Sequence, residues 1–280
     1  MPLTDIRPSP IAGTWYSSNP DQLRQEILAY IDEATLPEIE GEVVAVVAPH
    51  AGYRYSGPTA GYAFRSVLGN SYDLVAVVSP YHQFHTKPLL TSAHQAYETP
   101  LGAVPVDKQA LQTLNDHLEK NLGEVPTPIS KDGEHSLEIE LPFLQCALEG
   151  DFNLLPVMLT GDNFALAQEV GRGLAEVLRS RKALLVASTD LSHFYTENVA
   201  NQLDQEMLKH ITALSPEKMI EAKHSGKGEA CGLMAVVAVT VAALELGAAK
   251  AHLLHYSTSG QTSGDYQRVV GYGAVVFLKE

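Results

Sequence analysis

Residues 43–50 read Val-Val-Ala-Val-Val-Ala-Pro-His, an unbroken apolar run that ends in proline and histidine. The same plan returns at residues 74–82, Leu-Val-Ala-Val-Val-Ser-Pro-Tyr-His, and at residues 183–193, Ala-Leu-Leu-Val-Ala-Ser-Thr-Asp-Leu-Ser-His. Continuous runs rich in Val and Leu are typical of strands buried on both faces, as in a parallel sheet covered by helices. The three runs therefore predict three buried strands that are followed by His50, His82 and His193.

The rest of the chain alternates helical patterns with further strands. Leu154–Leu159 predicts a fourth buried strand, and roughly His252–Ser257 and Val269–Leu278 predict two strands near the carboxyl end. We expect an α/β fold with a central, mostly parallel or mixed sheet flanked by helices on both faces. We expect one domain over residues 1–280, because the sequence has no linker or low-complexity block. Helices are predicted to start at Asn19-Pro20 and Gly57-Pro58 and to span Asp107–Leu122, Phe164–Leu178, Asn198–Ile211 and Ala230–Leu246, and the Ser136–Leu148 pattern should kink or restart at Pro142.

Composition and charge exclude several classes of function. The chain carries 33 acidic against 19 basic residues and a formal net charge of -14 at pH 7, so the basic surface that binds nucleic acid or an anionic membrane is missing. Two cysteines, Cys146 and Cys231, do not make a disulfide framework. Residues 1–10 lack the apolar core of a secretory signal, and the longest apolar stretch, residues 233–244, is too short to cross a bilayer. We therefore expect a cytoplasmic protein without nucleic-acid or membrane partners.

Three imidazoles are expected to meet at one edge of the sheet. If the strands before His50, His82 and His193 are parallel neighbours, their carboxyl ends lie together at the edge where open α/β sheets bind ligands. Neutral imidazole is a common metal ligand, so we predict that His50 and His82 share a metal ion. His193 and Asp190 follow their strand after a longer excursion and are candidates for proton transfer and for orienting an imidazole. The alternative is that each histidine has a structural role.

Two further residues are candidates for the same crevice. Cys231 opens the buried helical pattern, where the positive end of the helix dipole favours the thiolate that binds metals. The alternative is that Cys231 is a small buried hydrophobic residue, and Cys146 is expected to have that packing role. His135 lies in the polar loop Asp132–Ser136 and could face the crevice as a catalytic residue, whereas Asp132 or Ser136 is expected to cap the following helix.

Six blocks of sequence lie at or near these candidates: 12–16 (Ala-Gly-Thr-Trp-Tyr), 48–53 (Ala-Pro-His-Ala-Gly-Tyr), 79–82 (Ser-Pro-Tyr-His), 134–136 (Glu-His-Ser), 188–193 (Ser-Thr-Asp-Leu-Ser-His) and 230–232 (Ala-Cys-Gly). Together and in this order they resemble the Memo-like family, whose bacterial members are called AmmeMemoRadiSam system protein B. The resemblance covers nearly the full chain, and the conjunction of blocks makes it specific.

This resemblance implies a fold like that of the class III extradiol ring-cleaving dioxygenases, which bind iron(II) with two histidines and a glutamate and use another histidine as acid/base. It implies that His50 and His82 are the two histidine ligands and that His193 occupies the acid/base position. Cys231 falls where Memo-like proteins have a cysteine in place of the dioxygenase glutamate. Fe(II) is thus the expected metal, with copper or zinc as alternatives because a thiolate is a softer ligand.

Three functions are compatible with these residues. The first is a metal-dependent, dioxygenase-like redox enzyme that acts on a small molecule, with His193, Asp190 and His135 as catalytic candidates. The second is a non-catalytic metal-binding or interaction module; the resemblance implies a peptide partner for it, since Memo-like proteins of animals are described as binding phosphotyrosine peptides. The third is a zinc hydrolase, or a thiol enzyme that uses Cys231 and a nearby histidine.

Overall fold

The computed structural model describes residues 3–280. Over this range the helices and strands follow one another without a long irregular segment. The strands are β1 (Ile6–Arg7), β2 (Glu42–Ala48), β3 (Leu74–Pro80), β4 (Leu89–Ser92), β5 (Ala96–Thr99), β6 (Gly102–Pro105), β7 (Thr127–Ile129), β8 (Asn153–Leu159), β9 (Ala183–Ser188), β10 (His193–Tyr195), β11 (Ala248–Thr258) and β12 (Val269–Lys279). The helices are α1 (Pro20–Glu33), α2 (Tyr53–Arg65), α3 (Lys108–Leu122), α4 (Leu141–Ala147, preceded by a 3₁₀ turn at Glu138–Glu140), α5 (Phe164–Leu178), α6 (Glu197–Thr212), α7 (Pro216–His224), α8 (Leu233–Glu245) and α9 (Gly260–Ser263).

The main sheet has the order β10-β12-β2-β9-β3-β8-β4-β7, and β11 also pairs with β12. Its centre, β2-β9-β3-β8, is parallel, while β12 is antiparallel to β2 and β4 is antiparallel to β8. The expected mixed sheet is therefore confirmed. A small separate sheet, β1-β5-β6, lies outside the main one. Because β9 lies between β2 and β3, the three runs that end near histidines are parallel neighbours.

Helices cover both faces of the main sheet, as predicted. On one face, α3, α5 and α8 bury Leu114, Leu174 and Val236 in the same apolar cluster as alternate residues of the central strands. On the other face, α1, α2 and α4 contribute residues such as Ile27 and Phe64 to a second cluster. Burial on both faces explains why the central strands are continuous apolar runs without alternation. The relation to the dioxygenase fold remains a prediction.

Several element boundaries differ from the sequence expectation. The second helix begins at Tyr53, four residues before the Gly57-Pro58 start that was predicted, and accommodates Pro58 in its interior. Helix α8 begins at Leu233 and not at Ala230. The restart near Pro142 is confirmed, since a 3₁₀ turn precedes α4 there. In the part of the chain that the structure describes, no helix has the length and apolar character needed to cross a membrane.

Candidate metal centre

The carboxyl ends of three adjacent strands bring His50, His82 and Asp190 to one edge of the sheet. His50 follows β2 by two residues, His82 follows β3 by two residues, and Asp190 follows the intervening strand β9 by two residues. The ring centroids of His50 and His82 are 5.2 Å apart. His50 is buried, whereas the His82 side chain is 37% exposed. The predicted convergence of the two histidines is confirmed, and one ring is reachable from solvent.

The third imidazole of this group belongs to His135. One ring nitrogen from each of His50, His82 and His135 lies within 4.8 Å of the others. The His135 ring stacks on that of His82, with centroids 4.8 Å apart, and its other neighbour is Trp15, with centroids 4.1 Å apart. The sequence placed His135 in a loop that could face the crevice, and the structure puts it beside the two predicted ligands. Its side chain can therefore act either as a ligand or as a catalytic group.

A single buried carboxylate, that of Glu134, orients two of the three rings. Its Oε1 is 3.0 Å from Nδ1 of both His82 and His135 and also accepts the backbone N–H groups of His135 (2.8 Å) and Ser136 (3.0 Å). Burial alone would raise the pKa of Glu134, but the hydrogen bonds from His135 and His82 hold that pKa well below its ordinary value. Glu134 is therefore ionised, and both rings keep Nε2 free for a metal. The sequence alone assigns no role to Glu134, although a carboxylate partner for a ligating histidine is common.

His50 is held by different partners. Its Nδ1 lies 2.9 Å from Oγ of Ser188, the last residue of β9, and its backbone N–H donates to Oδ1 of Asp190 at 2.8 Å. Asp190 was expected to orient an imidazole or contact a substrate; it orients the main chain of His50. Burial raises the pKa of Asp190 to about 7, against hydrogen bonds from the backbone of His50 and Ala51 that lower it. Burial, reinforced by the neighbouring His135 and His82, lowers the pKa of His50 well below its ordinary value, so this ring is neutral at pH 7.

The Cys231 thiol adjoins this cluster of donor atoms through its contact with His50. Its Sγ is 3.1 Å from Nε2 of His50 and accepts the backbone N–H of Asp190 at 3.2 Å. The segment that carries Cys231 passes so close to the end of β9 that residue 232 must be glycine, since a Cβ there would lie 2.3 Å from the carbonyl oxygen of Ser188. The expectation that the helix dipole lowers the thiol pKa is wrong for the metal-free protein. Cys231 lies two residues before α8, and burial, with Asp190 nearby, raises its pKa well above the ordinary value.

His193 lies apart from the group of three. It begins β10 and pairs with Val270 of β12, so the third strand-then-histidine run turns into a short antiparallel strand. Its Nδ1 is 2.9 Å from the carbonyl oxygen of Leu191, which can only accept a hydrogen bond. Burial lowers the pKa of His193, so the ring is neutral at pH 7 with its second nitrogen free. Its predicted catalytic role stays a prediction.

The amino-terminal segment fixes the loop that carries Glu134 and His135. Arg7 is buried and donates to Oδ2 of Asp132 at 2.6 Å, to the carbonyl oxygen of Glu134 at 2.6 Å and to Oε2 of Glu138. The Arg7 guanidinium also lies 4.8 Å from the centroid of the Tyr97 ring. Sequence reasoning missed Arg7, because a single arginine in a proline-rich segment carries no signal for burial. Asp132 was expected to cap a helix and is instead a partner of this cation.

A small cavity adjoins the cluster. It has a volume of about 160 Å³ and is lined by His82, Cys231 and the first turn of α8, from Leu233 to Ala235. The cavity reaches both the partly exposed histidine and the thiol. A small molecule or a water could therefore lie next to a metal bound at this edge of the sheet.

Comparison with known proteins identifies the family of this chain. The family model described as "Memo-like protein" matches residues 7–276. A MEMO1 family protein of Nitrosopumilus maritimus is 34% identical over 278 residues, which is 98% of this chain and 100% of that protein. A MEMO1 family protein of Methanopyrus kandleri is 34% identical over 96% of this chain and 98% of its own length. One from Aquifex aeolicus is 31% identical over 98% of this chain and 99% of its own length. The chain belongs to the Memo-like family.

Proposed function

We propose that this protein is a metal-dependent redox enzyme that acts on a small molecule, with Fe(II) held by His50, His82 and Cys231. The observation that carries the proposal is the 3.1 Å separation between Sγ of Cys231 and Nε2 of His50. Bond lengths of ~2.3 Å to sulfur and ~2.0–2.1 Å to nitrogen put adjacent ligands of one ion ~3.1–3.6 Å apart. The imidazoles of His50, His82 and His135 lie close enough together to hold one ion, and Cys231 contacts His50, so His135 is the alternative third ligand.

When bound, Fe(II) supplies open coordination positions for a substrate and dioxygen. The protein's own residues do the rest. The cavity beside His82 and Cys231 receives the small molecule. His193 donates its Nδ1 proton to Leu191, so its Nε2 is the basic nitrogen, and the lowered pKa keeps it ready to accept a proton near pH 7. Asp190 holds the His50 backbone in position.

A second candidate function is a metal-binding module without catalysis, which uses copper or iron and a peptide partner. The size of the cavity favours it, because about 160 Å³ is below the ~300–1,000 Å³ of most small-molecule sites. A thiol ligand also suits copper(I) or zinc. A zinc hydrolase, or a thiol enzyme built on Cys231 and His50, is the third candidate.

The test is purification without oxygen, elemental analysis and a ring-cleavage assay with a panel of catechols. Iron together with turnover supports the redox enzyme, whereas tightly held copper or zinc without turnover overturns it in favour of the second or third candidate. His50→Ala and His82→Ala should lose the metal, and His193→Ala should keep the metal and lose ~10²–10⁴-fold in rate. Metal content that falls equally in His193→Ala would make that residue a ligand.

The role of the thiol is tested by cobalt(II) substitution. A cobalt–thiolate bond gives a sulfur-to-metal charge-transfer band, which Cys231→Ser should abolish. Cys146→Ser is the matched control, because Cys146 lies in α4 among apolar residues and should leave the band unchanged. A spectrum without the band in the unsubstituted protein would assign the third position to His135.

A further inference from the structure

The Ser188 hydroxyl lies at the centre of a buried junction of three polar groups. Its Oγ is 2.9 Å from Nδ1 of His50, 2.6 Å from the carbonyl oxygen of Ser136 and 2.8 Å from Oε1 of Glu140. Ser188 and Glu140 are both buried. A hydroxyl has one proton and two lone pairs, so Ser188 can donate to one neighbour and accept from two.

Only one distribution of protons gives all three contacts a hydrogen bond. The Ser136 carbonyl can only accept, so it takes the Ser188 proton. His50 and Glu140 must then both donate to Ser188. An ionised Glu140 would leave one of the two short oxygen–oxygen contacts without a proton, which is costly away from water.

We propose that Glu140 is a neutral carboxylic acid that donates to Ser188 and, through it, holds His50 in the Nδ1–H tautomer. The Nε2 lone pair of His50 then points to the Cys231 side, where the metal would bind. Glu140 is a positioning residue, since it acts on the metal ligand through Ser188. This inference rests on the metal centre proposed above and adds a buried acid that controls one of its ligands.

The surroundings of Glu140 favour the neutral form. Burial raises the pKa of Glu140 well above its ordinary value, and the nearby carboxyl of Asp190 raises it further. A hydrogen bond donated by Ser188 would lower that pKa, but the carbonyl of Ser136 takes the Ser188 proton. Tyr53, whose hydroxyl donates to the carbonyl of Ile139, also faces Glu140, and among the residues that the structure describes no cation shifts the pKa of Glu140. A buried carboxyl without a cationic partner is held neutral.

The site is therefore supported by two carboxyls in opposite states of protonation. Ionised Glu134 binds Nδ1 of His82 and of His135 and makes both rings more basic metal ligands, as carboxylate partners do. Neutral Glu140 is connected to His50 by the Ser188 hydroxyl and adds no charge. Of these two glutamates, only Glu134 then places a negative charge behind the histidines.

The first test uses the metal-free protein and two spectroscopic measurements. Nitrogen-15 NMR of labelled histidine should show His50 as the Nδ1–H tautomer. Infrared spectra with carbon-13-labelled glutamate should show a protonated carboxylic acid band at pH 7 that Glu140→Gln removes. The Nε2–H tautomer in the unsubstituted protein, or a protonated band unaffected by Glu140→Gln, would overturn the proposal.

The second test is zinc affinity. Ser188→Ala should weaken Zn²⁺ binding ~10–100-fold, the usual cost of removing a partner of a ligating histidine. Ser79→Ala is the matched control, because Ser79 is a buried serine at the equivalent place in β3 whose hydroxyl, within residues 3–280, hydrogen-bonds only to the carbonyl of Pro80. It should leave the affinity unchanged.

Glu140→Gln keeps a donor for Ser188 and should bind Zn²⁺ within about threefold of the unsubstituted protein, well inside the range for losing such a partner. A tenfold or larger loss would mean that Glu140 supplies a charge, which contradicts the proposal. Should the unsubstituted protein bind no Zn²⁺ or Fe²⁺, the metal centre fails, while the two spectra still decide the protonation of Glu140.

Discussion

Replacing Glu134 by glutamine is the sharpest perturbation of the proposed metal centre. The carboxylate accepts hydrogen bonds from both imidazoles and from three backbone N–H groups, and its side chain is almost completely buried. A glutamine has one acceptor oxygen and one NH₂ group. If its oxygen takes the place of Oε1, its NH₂ group faces the backbone N–H of His82; if its NH₂ takes that place, both imidazoles lose their acceptor, and in either case the negative charge is lost.

The expected size of the effect comes from these bonds. A hydrogen bond to a charged group contributes ~1.5–3 kcal/mol, and removing a carboxylate partner of a ligating histidine costs ~10–100-fold in metal affinity. A tenfold change corresponds to ~1.4 kcal/mol, so the two ranges agree. Glu134→Gln should therefore weaken Zn²⁺ binding ~10–100-fold.

The protein carries its own optical probe for this measurement. Trp15 is the single tryptophan of the chain, and its ring is 4.1 Å from that of His135. Its fluorescence should change when Zn²⁺ binds, and a titration against a competing chelator then gives the affinity. Glu169→Gln is the matched control, because Glu169 of α5 is likewise the carboxylate partner of a histidine, His117 of α3, which is outside the metal centre.

The control should lower the free energy of unfolding and leave the metal affinity of the folded protein unchanged. The reasoning is refuted if Glu134→Gln binds Zn²⁺ as tightly as the unsubstituted protein. It is also refuted if both variants lose affinity equally, because the effect would then come from general destabilisation and not from the orientation of the two rings.

Three further results are expected. Burial raises the pKa of Glu140 in the folded protein, so the folded state keeps a proton that the unfolded chain loses above pH ~4.3. The free energy of unfolding therefore falls by up to ~1.4 kcal/mol per pH unit until the pH passes the folded-state pKa. The free energy of unfolding of Glu140→Gln, measured with urea, should accordingly increase relative to that of the unsubstituted protein as the pH rises. A difference that stays constant with pH would contradict this. Burial raises the pKa of Cys146 to about 11 and that of Cys231 further. Mass spectrometry after limited alkylation of the folded, metal-free protein should thus find label on Cys146 first, and earlier label on Cys231 would show that its thiol is the more acidic. Arg7→Met should lower the free energy of unfolding by ~3–5 kcal/mol, because it leaves buried carboxylates without their cation. Arg65→Met, which removes only an exposed ion pair, should change it by less than ~1 kcal/mol and serves as the control.

The central strands could be predicted because burial on both faces leaves a direct mark on the sequence. A run such as residues 74–80 has no polar side that would suit a surface strand, and each of its residues is buried. Short edge strands carry no such mark. β7 has three residues and β10 has three, and their pairing depends on neighbours far away in the chain. The sequence does not give the start of α2, because a proline is typical of a first helical turn, whereas the residues before Pro58 already form the helix.

The histidines of the site followed from the same logic, but their supporting groups did not. His50 and His82 come directly after strands, and strand order fixes where they lie. His135 approaches from a loop, and its place beside them depends on the salt bridges that Arg7 makes with that loop across more than 120 positions of sequence. Glu134 and Glu140 are six residues apart and are both buried carboxyls, yet one is ionised and the other is inferred to be neutral. The difference comes from the number of donors each receives in the fold, and a residue's identity alone cannot give that number.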